Sequence, residues 1–296
     1  MNRRRVSYFE ASARVRVHGL VDENSFVELC PAELRKTSPH LASLDAPLAF
    51  DDGVVVGRAT LAGSAILIAA QEGRFNGGSV GEVHGAKIRG LLELALLTKP
   101  VAVLLLVDSG GVRLQEANAG LIAISEIMRA VLKGQSAGIP VFALIGGSCG
   151  AFGGMGIVAR LCNEIVMSEQ GRLGLSGPEV IETVKGVEEF DSRDRALVWR
   201  ITGGKIRRTL GEATRLVDDL IPAFRDAATR LLARYVELPP VTLDDLQQAQ
   251  HRLTERTGRF AEVSDGQQIW QQIFSESAGI AGLTVSDFNR LLGDQP

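Results

Sequence analysis

Val101-Ala-Val-Leu-Leu-Leu-Val107 runs directly into Asp108-Ser109-Gly110-Gly111-Val112-Arg113, and Pro140-Val-Phe-Ala-Leu-Ile145 runs into Gly146-Gly147-Ser148-Cys149-Gly150-Ala151-Phe152-Gly153-Gly154. Apolar runs without alternation read as strands buried on both faces, the condition of a parallel sheet covered by helices. Each run ends in glycines and is followed by helical spacing, so each is a strand-to-helix junction. The first amides of a helix have no intrahelical partner, and glycine lets a ligand approach the backbone closely. Two such junctions side by side can form an oxyanion hole from backbone donors alone. Either cluster taken singly is equally well an ordinary tight turn packing helix on strand.

Working outward, Asp51-Asp52-Gly53 is a turn signal. Val54–Leu61 and 65–70 then read as a hairpin closed by Ala62-Gly63-Ser64. Phe75-Asn-Gly-Gly-Ser-Val-Gly81 is a third glycine-rich loop, and Glu82 to Leu97 has helical spacing that ends at Lys99-Pro100. Helices are expected over about 114–133 and 151–161, with a further strand at Glu164–Met167 and a helix opened by Pro178. Strands alternating with helices through short links predict right-handed βαβ units. Residues 7–45, including Phe26, Val27 and Leu29, carry helical spacing, as do segments near 211–217, 223–236, 242–256 and 265–275. The chain thus divides into a helical lead-in (1–50), an α/β core (51–225) and a C-terminal helical region (226–296), forming one domain overall.

The 296 residues are 45% hydrophobic and 23% charged, with 33 glycines, above the usual level of about 7%. A net charge of −3 makes no case for nucleic acid, and the basic opening Asn2-Arg3-Arg4-Arg5 reads as a solvated arm or subunit contact. Apolar stretches stop short of a bilayer span, and no apolar core follows Arg3–Arg5, so a cytoplasmic protein is expected. Cys30, Cys149 and Cys162 form no metal-ligand spacing, so no metal is expected. Cys149 reads as a small packing residue ahead of a nucleophile, since no histidine lies near it in sequence. Gly154-Met-Gly156-Ile-Val-Ala159 fits a dinucleotide pattern but lies too far past the strand end. His84 is either a substrate contact or general acid, or a helix-surface or capping residue. Arg113 either meets a carboxylate or phosphate or only holds its loop.

Read together, Asp51-Asp-Gly-Val-Val-Val-Gly-Arg-Ala-Thr60, Phe75-Asn-Gly-Gly-Ser-Val-Gly-Glu82, Asp108-Ser-Gly-Gly-Val-Arg-Leu-Gln-Glu116 and Gly146-Gly-Ser-Cys-Gly-Ala-Phe-Gly-Gly154 occur in the order found in the carboxyltransferase branch of the crotonase superfamily. The chain resembles that branch over about residues 10–225. Within it, the chain is most similar to the beta subunits of biotin-independent malonate decarboxylases. Neither the four-cysteine zinc ribbon of the bacterial acetyl-CoA carboxylase beta subunit nor the second crotonase-like half of single-chain carboxyltransferases is expected here. The resemblance implies an α/β crotonase-like fold, a repeated ββα superhelix with a mostly helical C-terminal region. It also implies decarboxylation of a malonyl thioester on an acyl carrier protein.

The same resemblance implies partners: a gamma subunit supplying the second crotonase-like half, the acyl carrier protein with its modified coenzyme A-type arm, and an acyl transferase subunit. No directly bound cofactor and no biotin are implied. Oxyanion donors fall at Gly110 or Gly111 and at Gly153 or Gly154. Phe75, Gly78, Ser79, His84, Ser109, Val112, Arg113, Gly150 and Ala151 are the candidate substrate-binding residues. The proton donor to the enolate is open among His84, Ser109 and a partner residue. A biotin-dependent acyl-CoA carboxyltransferase subunit and a non-catalytic carrier-docking subunit are the competing readings. A coenzyme A hydratase or isomerase is weaker, because it needs positioned carboxylates.

Overall fold

The two apolar runs lie at the centre of one seven-stranded sheet, and everything else in the core is arranged on its two faces. A computed structural model describes residues 6–43, 45, 51–235, 238–263, 265–274 and 278–293; the basic opening at 2–5 lies outside them. In chain order the elements begin with helix α1 (Ala13–Leu20), strand β1 (Val27–Leu29) and helix α2 (His40–Ser43). The hairpin β2 (Val54–Leu61) and β3 (Ser64–Gln71) follows, then α3 (Glu82–Thr98), β4 (Ala102–Val107), α4 (Ala119–Ser136), β5 (Val141–Ile145), α5 (Gly153–Leu161) and β6 (Glu164–Ser168). The chain continues with α6 (Pro178–Lys185), α7 (Arg195–Thr202), α8 (Gly204–Thr209), β7 (Arg215–Val217), α9 (Ile221–Arg234), α10 (Leu243–Arg259), α11 (Gly266–Ile273) and α12 (Val285–Leu291).

Strand order equals sequence order, β1 to β7. The first two pairings are antiparallel, and those from β3 onward are parallel, with Val103 opposite Val141 and Val107 opposite Ile145. Alternate residues of β4 serve two cores: Val103, Leu105 and Val107 face α3, α4 and α5, while Ala102, Leu104 and Leu106 face α1 and α9. All six are buried. Burying each Val or Leu is worth about 1.5–3 kcal/mol, which is why the run tolerates no polar residue.

Past the strand ends the chain pairs again in a smaller layer through the bridges Val80–Val112, Ser109–Ala151, Ala151–Leu173 and Arg172–Gly203. This is the mixed α/β crotonase fold expected from the sequence. Two short segments differ from the helical expectation. Residues 27–29 pair with β2, and residues 215–217 pair with β6. Both lie against a strand edge whose backbone groups need partners, and that demand overrides local spacing. The helix after the first junction begins at Ala119, preceded by a 3-10 turn at Leu114–Glu116.

The lead-in is part of the core: Tyr8 stacks on Phe224 of α9 at 3.9 Å, and Val17 and Leu20 are fully buried. The C-terminal helices form a separate cluster around Trp270 and Phe288. It is tied back by Trp270 Nε1 donating to Thr209 Oγ1 at 2.8 Å and by Lys205 Nζ donating to the carbonyls of Ala281 and Leu283, each at 2.7 Å. No residue of α10 is buried, and no described helix is long and apolar enough to cross a membrane.

Candidate active site

The small layer brings the two glycine junctions together. Ser109 N donates to Gly150 O at 2.7 Å and Phe152 N to Ser109 O at 2.9 Å, so the junctions run side by side. A Cβ on Gly153 would lie 3.2 Å from the Gly111 Cα, a close approach that only short residues permit. Within this contact the amides have different fates. Gly110 N donates to Gly77 O at 2.9 Å and Gly153 N to Leu175 O at 2.8 Å. Gly111 N reaches only the hydroxyl of Ser109, at 3.3 Å, while Gly154 N has no acceptor among the described residues. Gly154 lies in the first turn of α5, which carries no acidic residue there, so its amide is aligned with the positive end of the helix dipole.

Asp108, the residue after β4, is 1% exposed. Its carboxylate accepts the Cys149 N–H at 2.7 Å and pairs with Arg16 of α1 at 2.8 Å. Cys149 Sγ donates to Gly73 O at 3.3 Å, and burial together with the Asp108 charge pushes the thiol pKa up. A thiol held protonated in this way is a packing residue and a poor nucleophile.

The Phe75–Gly81 loop is clamped from below. Arg113, 5% exposed, donates from Nε to Ser79 O at 3.1 Å and from its terminal nitrogens to Asp52 O and to Glu116, the latter at 3.1 Å. Its guanidinium lies 5.4 Å from the centre of the Phe75 ring. Glu116 also accepts the Glu82 N–H that opens α3, at 2.6 Å. Arg113 thus holds the loop, and it also lines the cavity beside it. Gly78, at φ +65°, is fixed by the same crowding, since a Cβ there would stand 1.7 Å from the Asp108 carbonyl oxygen.

His84 is fully buried, not on the helix surface. Its Nδ1 meets Asp52 O at 2.9 Å and its Nε2 meets Gln71 Nε2 at 3.0 Å. With the amide donating to Nε2, the ring is the neutral Nδ1–H tautomer. Burial, then the nearby Arg113 charge, lower its pKa to about 3. Both ring nitrogens therefore serve the protein interior. Ser109, Gly150 and Ala151 are also buried, as strands of the small layer, whereas Gly110 is exposed and Gly111, Val112, Gly153 and Gly154 are half-buried. Ser79 Oγ donates to Asn76 O at 2.6 Å and shapes its own loop.

A cavity of about 220 Å³ beside this loop is lined by Lys36, Ser38, Asp52, Phe75, Asn76 and Arg113 among others, and by none of the four candidate donor glycines. Exposed apolar side chains border the junctions: Leu114 at 86% lies three residues past Gly111, Ile122 at 61% two residues before the Ile124 that packs on Gly154, and Leu175 at 66% on the residue whose carbonyl takes the Gly153 N–H. Sequence reading missed Arg16, Asp52 and Lys87. The Lys87–Asp52 pair, at 3.0 Å with both side chains under one-tenth exposed, anchors α3 to the turn before β2. The one available signal was a charged residue on the apolar side of a short helix, as Arg16 is on α1.

Residues 10–201 match the carboxyl transferase domain family. The chain belongs to that family. Among relatives of this carboxyl transferase domain, the malonyl-S-ACP:biotin-protein carboxyltransferase of Malonomonas rubra is 43% identical over 245 residues, covering 78% of this chain and 77% of its own length. A solved Pseudomonas malonate decarboxylase hetero-tetramer in complex with malonate contains a similar chain, with TM-score 0.76 and 42% identity over 83% of this chain and 90% of that one. A Pseudomonas malonate decarboxylase hetero-dimer gives TM-score 0.66 and 39% identity, covering 84% of this chain and 96% of the other. The resemblance to malonate decarboxylase subunits read from the glycine motifs therefore stands.

Proposed function

We propose that this chain is the subunit of a malonate decarboxylase complex that decarboxylates a malonyl thioester through an enolate. The observation that carries the reading is the pair of amides at Gly111 and Gly154. They belong to two strand-to-helix junctions that run side by side, and neither has a strong acceptor of its own, in a chain similar to malonate decarboxylase subunits. In the reaction the bond between the malonyl carboxyl carbon and the α-carbon breaks. Its electron pair moves to the enolate, CO2 leaves, and a proton added at the α-carbon gives the acetyl thioester.

The charge of the enolate gathers on the thioester oxygen, where preorganised amides act most strongly; one such donor is worth about 2.7–4 kcal/mol. Gly111 and Gly154 are assigned as those donors, since Gly110 and Gly153 spend their N–H groups on Gly77 and Leu175. The malonyl carboxylate is placed off this pair, so that loss of CO2 relieves its desolvation. His84 is neutral and enclosed, and the Ser109 hydroxyl is turned to Gly111 O at 3.2 Å. The proton is therefore assigned to a group on the partner side of the open face.

The exposed apolar border fits a gamma subunit closing that face, with the acyl group arriving on the coenzyme A-type arm of an acyl carrier protein charged by an acyl transferase subunit. In this reading no cofactor and no biotin bind the chain directly, and the complex is cytoplasmic. The test is release of CO2 from malonyl-carrier protein by the chain purified with its partners; no release from the assembled complex rejects the reading.

One observation favours a second reading, namely the 43% identity to a malonyl-S-ACP:biotin-protein carboxyltransferase. The same enolate serves both reactions, and they differ in where the carboxyl group goes. Turnover that requires a biotinyl carrier and is blocked by avidin selects the transferase; biotin-independent CO2 release selects the decarboxylase.

A further inference from the structure

The Asp108 carboxylate links the two junctions. It directly follows β4, three residues before Gly111, and through Oδ1 it holds the Cys149 N–H of the second cluster at 2.7 Å. Its other oxygen takes Arg16 Nη1 at 2.8 Å, with exposures of 2% and 1% for the two side chains. Arg16 is itself fixed: Nε donates to Tyr8 O at 2.8 Å, Nη2 to Phe9 O at 3.3 Å, and its guanidinium stands 4.9 Å from the centre of the Tyr8 ring. The carboxylate packs against two glycines that have no room for a side chain of their own. A Cβ on Gly147 would lie 2.1 Å from Asp108 Cγ, and a Cβ on Gly73 would lie 2.6 Å from Oδ2. Left unpaired, a buried negative charge three residues from Gly111 and bonded to the second cluster would oppose any negative charge developing at the junctions.

We propose that Arg16 and Asp108 are a positioning pair for the junctions. The carboxylate sets the spacing of the Gly111 and Gly154 amides through the Cys149 backbone, and the guanidinium cancels its charge where an oxyanion would form. The kinetic consequence rests on the decarboxylase reading; the consequence for a bound thioester does not.

The experiment compares wild type, Arg16→Gln, Asp108→Asn, Arg16→Lys and the double variant Arg16→Gln/Asp108→Asn, each assembled with its partner chains and checked for folding by circular dichroism. The probe is acetyl-CoA labelled with carbon-13 at the thioester carbonyl. Its carbonyl stretch, read by infrared difference spectroscopy, reports polarisation by the amides without turnover. Wild type is expected to lower the stretching frequency, Arg16→Gln to lose most of that shift, and the charge-neutral double variant and Arg16→Lys to recover it.

In decarboxylation, Arg16→Gln is expected to lower kcat tenfold to a hundredfold with KM within about twofold of wild type, and the double variant to regain at least a third of the logarithmic loss. A purely structural pair would change melting temperature while leaving the carbonyl shift of the folded protein intact. Should a single variant fail to fold, Arg16→Lys and the double variant carry the comparison. No shift in wild type, an equal shift in Arg16→Gln, or a double variant no better than the worse single overturns the inference. Wild type that decarboxylates, with kcat and shift indifferent to the pair, overturns it while sparing the functional reading. Wild type that does not decarboxylate but shows a pair-dependent shift does the reverse.

Discussion

Replacing Gly154 by alanine adds one methyl at the most crowded donor. Its Cβ would stand 2.6 Å from Ile124 Cγ1, 2.7 Å from Cγ2 and 2.9 Å from Cδ1, where carbon atoms rest at about 3.5–4.0 Å. Ile124 is 4% exposed in the core cluster it shares with Met155 and Ile127, so it cannot swing into solvent. Either Ile124 or the first turn of α5 must move by about 1 Å, and a misplacement of that size costs on the order of 10²-fold in rate. Loss of the Gly154 donor altogether gives about 10²–10³ in kcat. Overpacking costs about 1–3 kcal/mol of stability, which leaves a protein of this size folded at assay temperature.

The assay is CO2 release by the assembled complex at saturating malonyl thioester, with melting temperature followed in parallel. Gly154→Ala is expected to lose a hundredfold or more in kcat while melting cooperatively. The double variant with Ile124→Ala, which removes all three clashing atoms, is expected to regain at least tenfold. Wild-type turnover in folded Gly154→Ala would refute the assignment of this amide, and a loss undiminished in the double variant would show that the methyl does not act through Ile124.

His84 titrates at about 3 in the fold, below its ordinary 6.5, so the unfolded chain takes up the proton first. Its contribution is complete above pH 6.5 and is lost as pH falls toward 3, by up to about 1.4 kcal/mol per pH unit. Urea unfolding of wild type and His84→Gln between pH 4 and 7 is expected to show a shallower pH slope in the variant; equal slopes would reject burial as the cause. Cys149→Ala is expected to keep turnover within twofold, and the wild-type thiol to react slowly with iodoacetamide at pH 7, whereas inactivation by either treatment makes the thiol a participant. Ile122→Glu, on the exposed border, is expected to weaken association with the partner chains in sedimentation without lowering the melting temperature; unaltered association would move the interface elsewhere.

Much of the candidate site was legible because the groups proposed to act there are backbone amides. Glycines after unbroken apolar runs announce strand-to-helix turns from local sequence alone, so 110–111 and 153–154 stood out. Phe75, Gly78 and Ser79 were found for the same reason, though they shape and buttress the loop next to the junctions. What sequence left open was the direction of each polar group. His84 and Arg113 carry chemistry that serves a ligand or an interior equally, and only the tertiary structure supplies their partners, Gln71 and Asp52 for one and Glu116 and Ser79 for the other.

By itself the sequence determined the parallel core of the sheet, the order of its junctions and the likeness to carboxyl transferase domains, since apolar runs and glycines act over a few residues. The tertiary structure decided which amides keep no backbone acceptor, because Gly77 and Leu175, more than twenty residues away in the chain, consume those of Gly110 and Gly153. It turned residues 27–29 and 215–217 into strands, because sheet edges had backbone groups to satisfy. It also brought Arg16, 92 positions away, onto Asp108. A buried charge must find its opposite wherever the fold provides it, and no local pattern records that pairing.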